Sequence, residues 1–214
     1  MARELVINNL GAKIETAQIF IEGDGDLVLH KMSARNERML MADDRKKVKE
    51  VPNVWEDVIT EIHWRNPLPV TDTYTECTQE LMDRLLKENA PCITAFGLKK
   101  SFCQAVVRNE IDKYSTKFDN AVNVTAINNL VPISFSDHSI DEKLIPPQRG
   151  KAPVLSRLNL FSGWSADIDI MYTANVYSLD QIVNIISLAG FGLGIGSGRT
   201  SGYGRYHVES VGVM

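Results

Sequence analysis

The chain has 214 residues, of which 44% are apolar and 23% charged, and it carries a formal charge of −4 at neutral pH. Such a composition belongs to a soluble globular protein with enough residues for a sizeable core. A protein whose main task is to coat nucleic acid usually carries a basic excess, because phosphate neutralisation dominates such affinity, and this chain has none globally. Any nucleic-acid surface must therefore be local. The N-terminus, Met1-Ala2-Arg3-Glu4-Leu5, lacks the basic start and apolar core of a signal peptide. No apolar run approaches the ~20 residues of a membrane span. Cys77, Cys92 and Cys103 are odd in number and show no CxxC spacing. They read as free thiols in a reducing cytoplasm, with no metal.

In chain order, Lys13 to Glu22 alternates, with Glu15, Ala17, Ile19 and Ile21 on one face, and predicts a half-buried strand ended by the Gly23-Asp24-Gly25-Asp26 turn. His30 to Met41 predicts a helix that buries Met32, Met39 and Leu40. The charge run Asp43 to Glu50 reads as a solvated helix end or loop, with a basic contact arm as the alternative. Trp55 to Trp64 fits either a short helix or a strand, and Asn66-Pro67-Leu68-Pro69 breaks regular structure. Glu76 to Glu88 predicts a helix with Leu81, Met82, Leu85 and Leu86 on one side. Phe96 to Ile111 predicts a second, burying Phe96, Phe102, Ala105, Val106 and Ile111 and leaving Lys99, Lys100 and Arg108 at the surface.

Ala121 to Ile127 and Leu130 to Phe135 predict strands joined in a hairpin at Asn128-Asn129. Asp137 to Pro153 predicts a long loop, functional or disordered, that includes His138 and Arg149-Gly150-Lys151. Val154 to Phe161 and Trp164 to Ala174 are further strands; the second turns Trp164, Ala166, Ile168, Ile170 and Tyr172 to one face. Ser178-Leu179-Asp180-Gln181 is a capping box opening a helix that is apolar nearly all round and should be buried. Gly204 to Val211 is the last strand. The strongest elements give a βαββαβ order, the ferredoxin-like arrangement, in which helices pack one face of an antiparallel sheet. The expected fold is thus α+β and single-domain over residues 1–214, with a mostly helical insertion at approximately 25–91.

Seven of the fourteen glycines fall between Ala189 and Tyr206. Dense glycine in an ordered place means left-handed backbone or close approach of another chain. The segment is no Walker P-loop, and it follows a helix and precedes a strand, the reverse of the dinucleotide-binding context. Two readings stay open. In one, Gly194 and Gly196 bring backbone to a nucleic-acid strand, aided by Arg199, Thr200, Ser201 and Arg205, with Lys99, Lys100, Arg149 and Lys151 as further cationic contacts. In the other, the segment is a helix C-cap that packs tightly on the protein itself or between subunits. Asp167 and Asp169 share a strand face but have no third ligand tied to them by spacing, so no metal or other cofactor is expected.

A final helix leading through such a loop into a last strand, from Leu179 to Val208, resembles the RAMP superfamily of CRISPR-associated RNA-binding proteins. Over most of its length the chain also resembles a family of phage and prophage proteins, from which no function carries over. The shared segments are Ile19-Phe20-Ile21-Glu22-Gly23, Leu29-His30-Lys31, Phe96-Gly97-Leu98-Lys99-Lys100, Trp164, Leu188 to Gly196, and Gly204-Arg205-Tyr206. That family carries Trp-Arg-Pro after its Gly-x-Gly pair. Here Ser197-Gly198-Arg199-Thr200 keeps only the arginine.

The RAMP resemblance implies a loop near an RNA backbone and copies assembled along a strand. The expected function is therefore non-catalytic binding of RNA or single-stranded DNA by a homo-oligomer in the host cytoplasm. One rival is a protein-binding inhibitor of host defence, anti-CRISPR-like, which the negative charge suits. The other is a metal-independent ribonuclease. RAMP nucleases use histidine as general acid or base, which makes His30, and less directly His138, its candidates.

Overall fold

The computed structural model describes residue 11 and residues 13–41, 53–68, 76–145 and 154–213. The charge run at 43–50 and the Arg149-Gly150-Lys151 segment lie outside these. In chain order the elements are β1 (Ile14–Gly23), β2 (Leu27–Leu29), α1 (Ala34–Met41), α2 (Val54–Thr60), β3 (His63–Trp64), α3 (Gln79–Glu88), β4 (Pro91–Thr94) and α4 (Ala95–Arg108). There follow α5 (Thr116–Ala121), β5 (Val122–Thr125), β6 (Leu130–Pro132), β7 (Asp137–Ile145), β8 (Val154–Ser162), β9 (Ser165–Thr173), α6 (Leu179–Gly192) and β10 (Tyr206–Val213). Among the described residues no helix is long and apolar enough to cross a membrane.

The main sheet has the order β10-β1-β9-β5, and every pairing is antiparallel. With α4 between β1 and β5 and α6 between β9 and β10, this is the expected βαββαβ unit. The alternation that predicted it is what builds it. Ala17, Ile19 and Ile21 of β1 and Ala166, Ile168, Ile170 and Tyr172 of β9 are buried on one face. Against them pack Leu98, Phe102, Ala105 and Val106 of α4 and Ile182, Ile185, Ile186 and Ala189 of α6. The capping box forms: Ser178 Oγ accepts from the Gln181 N–H, and Gln181 Oε1 accepts from the Ser178 N–H. Thr94 caps α4 through the Gly97 N–H.

Two smaller three-stranded sheets flank this unit, β2-β8-β7 and β3-β4-β6. Several expectations are corrected here. Residues 137–145 are a strand: β7 pairs residue by residue with β8 from Asp137↔Ser162 to Ile145↔Val154. The polar composition of that stretch hid the ladder. Asn128 and Asn129 do adopt left-handed angles, at φ 54° and 61°. They do not close a hairpin, because β5 joins β9 in the main sheet while β6 joins β4 in another.

The Trp55–Trp64 ambiguity resolves into both elements, α2 and then β3. The first helix is shorter than expected and buries none of its residues. Met32, Met39 and Leu40 are exposed, and α1 is fastened by charge instead: Arg35 forks onto Asp57, and Arg38 pairs with Glu56 at 2.7 Å. Phe96 and Ile111, expected in the core, are exposed as well.

A cationic cleft as candidate nucleic-acid interface

The glycine segment begins one turn later than its composition suggests. Gly190 and Gly192 belong to α6, and the chain leaves the helix at Leu193. From there it is stitched to itself, to the turn after β1 and to β2. The Ile195 N–H donates to the Gly204 carbonyl (2.9 Å), Gly204 N–H to Asp26 O (2.8 Å), and Ser197 N–H to Val28 O (2.9 Å). Gly196 has φ +73°, and a side chain there would strike the Val28 carbonyl. Gly204 has φ +69°, and a side chain there would run into the Ile195 carbonyl. At these two positions the protein's own backbone requires glycine. The outer turn carries Arg199–Ser201 as a short 3₁₀ segment between the left-handed Gly198 and Gly202.

Between this segment and the flanking strands lies a cavity of about 220 Å³. Its walls come from five places: the end of β2 (Leu29, His30), β3 (His63), β4 (Cys92 to Thr94), the first turns of α4 (Gly97, Leu98, Lys100) and the glycine segment (Ile195 to Ser197, Arg199). The floor is apolar, since Leu29, Cys92, Ile93, Leu98 and Ile195 are all buried. Over that floor stand Lys100, Arg199 and two histidines, and among the described residues no carboxylate lines the cavity. In a chain of charge −4, this is a local concentration of positive charge next to a low-dielectric surface, where charge interactions are stronger than in water.

The two histidines differ. His30 Nδ1 lies 3.2 Å from Oε2 of Glu61, a carboxylate that is almost wholly buried. The hydrogen bond to Glu61 raises the His30 pKa above its ordinary value, and partial burial opposes this. His63 is pushed the other way, by burial and by the Lys31 charge. His30 thus favours its charged form and His63 its neutral one. Cys92, on the floor, is held protonated, with burial pushing its thiol up to about 11. The helix N-terminus adds its dipole but few free donors, because the Phe96 N–H is taken by Asn129 Oδ1 and the Gly97 N–H by Thr94 Oγ1.

Of the residues picked out from sequence, the cavity brings together His30, Lys100, Gly196 and Arg199. The others are placed elsewhere. Gly194 is buried, with its carbonyl accepting from Ser101 Oγ (3.0 Å). Arg205 Nη1 donates to the Phe191 carbonyl (2.6 Å) at the end of α6. Lys99 Nζ bonds Asn123 Oδ1 (2.9 Å) and pairs with Asp119 (3.0 Å). Thr200 and Ser201 are exposed on the outer turn and do not line the cavity. His138 belongs to the β7–β8 ladder, where Nε2 meets Asn159 Oδ1 at 3.0 Å and the ring packs on Phe161. Arg149 and Lys151 lie outside the described residues.

Sequence reasoning missed His63, Thr94 and Ser197 at the cavity. The Trp55–Trp64 ambiguity was the only signal for His63, which needed β3 to be recognised before it could be aimed. It also missed an exposed cluster on the main sheet. Glu22, His207 and Glu209 have potential ligand atoms within 4.8 Å of one another, and His207 Nδ1 lies 2.6 Å from Asp24 Oδ1. Asp24 foremost raises the His207 pKa, as expected of a solvated ion-pair group.

No family model and no curated protein matches the chain. Among solved structures it is similar to the type III-B Cmr-beta complex bound to cognate target RNA. That match has a TM-score of 0.49 at 10% identity, covering 94% of this chain and 61% of the other. It is also similar to Cmr6 from Pyrococcus furiosus, with a TM-score of 0.41 at 11% identity, covering 92% of this chain and 99% of the other. The chain therefore spans about three fifths of the first protein's length. The RNA in that structure belongs to that complex. With both scores below 0.5, the α+β, ferredoxin-like assignment rests on strand order and register alone.

Proposed function

We propose that this protein binds single-stranded nucleic acid, RNA or DNA, without cleaving it, through phosphate held at the cationic cleft. The observation that carries the reading is the convergence of Lys100, Arg199 and His30 over an apolar floor with no lining carboxylate among the described residues, in a chain that is acidic overall. Phe96 strengthens it. That ring is 67% exposed and lies one helical turn from Lys100, on the neighbouring surface of α4. An aromatic platform beside a cation is what sequence-tolerant single-strand binding uses. On this reading the chain is one domain, and the insertion at about 25–91 supplies His30 and His63 to the cleft. It acts in the host cytoplasm as a phage-encoded, RAMP-like protein whose copies assemble along the strand.

The test is a salt-dependent titration with single-stranded RNA, single-stranded DNA and duplex. The expected result is salt-sensitive affinity for a single strand, with labelled substrate intact after prolonged incubation with or without divalent metal. Cleavage that disappears in His30→Ala would replace this reading with the metal-independent ribonuclease. A folded protein with no salt-sensitive affinity would replace it with the protein-binding inhibitor, which the net charge favours.

A further inference from the structure

The cleft has properties that a simple backbone groove does not need. Its volume, about 220 Å³, is below the ~300–1,000 Å³ of sites that enclose a drug-sized ligand. There is room for a phosphate and part of the attached sugar. An internal phosphodiester brings a nucleotide on each side, and both must be accommodated around five converging wall segments. A terminal phosphate brings a nucleotide on one side only.

Charge points the same way. An internal linkage carries one negative charge, whereas a phosphomonoester carries about −1.5 to −2 at neutral pH. Two fixed cations, Lys100 and Arg199, face the cavity together with His30; among the described residues no carboxylate lines it, and Glu61 behind His30 balances that ring alone. Neither fixed cation is consumed by the fold: among the described residues no hydrogen bond or ion pair engages the side chain of Lys100 or Arg199. Lys99 and Arg205, their sequence neighbours, are both engaged. The apolar floor, with Ile93 and Leu98 almost fully buried, suits a small compact anion approached by one apolar sugar face. Among the described residues that floor holds no Phe, Tyr or Trp ring on which a base could stack, and the two imidazoles stand on the walls.

We infer that the cleft takes a phosphomonoester, the phosphorylated end of a nucleic-acid strand, in preference to an internal linkage. This inference rests on the proposed nucleic-acid binding and narrows its ligand. Lys100 and Arg199 bracket the dianion, and His30 adds a third positive donor when protonated. The rest of the strand leaves over the exposed first turn of α4, past Phe96.

The experiment is calorimetric titration of the full chain with three 12-residue uridine oligomers: 5′-phosphorylated, 3′-phosphorylated, and hydroxyl at both ends. One phosphorylated oligomer should bind at least tenfold more tightly than the hydroxyl-ended one. That advantage should vanish in Arg199→Ala, a surface change that leaves the fold intact, and inorganic phosphate at high concentration should compete it away. Equal, salt-sensitive affinity for all three strands would overturn the inference and leave the binding proposal standing. No affinity for any strand would remove both. If uridine monophosphate bound as tightly as the phosphorylated oligomer, the ligand would be a free nucleotide, and the strand-end assignment would be wrong.

Discussion

Arg199 and Arg205 lie six residues apart in one glycine-rich segment and look equivalent as cations, as do Lys99 and Lys100 in one helix. The fold separates each pair. Arg205 satisfies a carbonyl left open at the end of α6, and Lys99 is spent on Asn123 and Asp119. Arg199 and Lys100 face a shared cavity. Whether a cation is available to a ligand is decided by which acceptors of the protein lie within its reach, a helix-end carbonyl for Arg205 and two side chains for Lys99. The glycines divide in the same way. Gly204 is needed by the framework, while the outer turn from Gly198 to Gly202 holds Arg199 out of it.

The strongest way to break this comparison is to damage the framework alone. Gly204→Ala combines a left-handed φ with a clash against the Ile195 carbonyl, and should cost on the order of 3 kcal/mol. Ile182→Asp, a buried carboxylate among apolar neighbours in α6, should cost as much or more. Chemical denaturation measures both. An unchanged midpoint for either would mean that α6 or its loop is not packed as described.

That framework was largely legible in the sequence. Alternation in β1 and β9 and the Ser178–Gln181 capping box are local signals, and each specified an element that forms. Gly23, Trp164, Gly190 and Tyr206, all within the segments that carry the family resemblance, turn out to touch. A side chain at Gly23 would strike the Trp164 ring, and one at Gly190 would strike Tyr206. The short strands β2, β3 and β4 were not legible, because two to four residues show no period. The cleft was half legible for the same reason. His30, Lys100 and Arg199 stand out by type, but His63 joins them only through pairing between β3 and β4, a contact that no local spacing encodes. The β7 ladder was missed because, among its described side chains, its inward face carries His138 and Ile140 only half-buried amid charged and polar neighbours, too weak an alternation to mark a strand.

A second separation concerns Arg205. Its alanine variant should lose about 1 kcal/mol of stability, from one charge-assisted hydrogen bond at a helix C-terminus, with single-strand affinity nearly unchanged. Thermal melting alongside a binding titration reads both. A large loss of affinity at constant stability would place Arg205 in the interface.

The smallest expected effect is on pH dependence. His30 has a raised pKa through Glu61, so its positive charge is fully present below the ordinary value of ~6.5 and is lost as pH rises through the raised value. Affinity for a single strand should weaken severalfold across that window. In His30→Gln the profile should flatten there, whereas a profile unchanged from wild type would take His30 out of the interface.

The most direct measurement compares two double variants, Lys100→Ala with Arg199→Ala and Lys99→Ala with Arg205→Ala, in salt-dependent titrations with one single-stranded oligonucleotide. Both variants remove two positive charges from neighbouring positions in the same segments, so a nonspecific effect of net charge is matched. The first pair should weaken binding strongly and reduce the slope of log affinity against log salt by roughly 1.4, about 0.7 for each lost phosphate contact. The second should leave the slope within error of wild type. Equal slopes in the two variants, or a larger loss in the second, would contradict the assignment of the cleft as the phosphate-binding site.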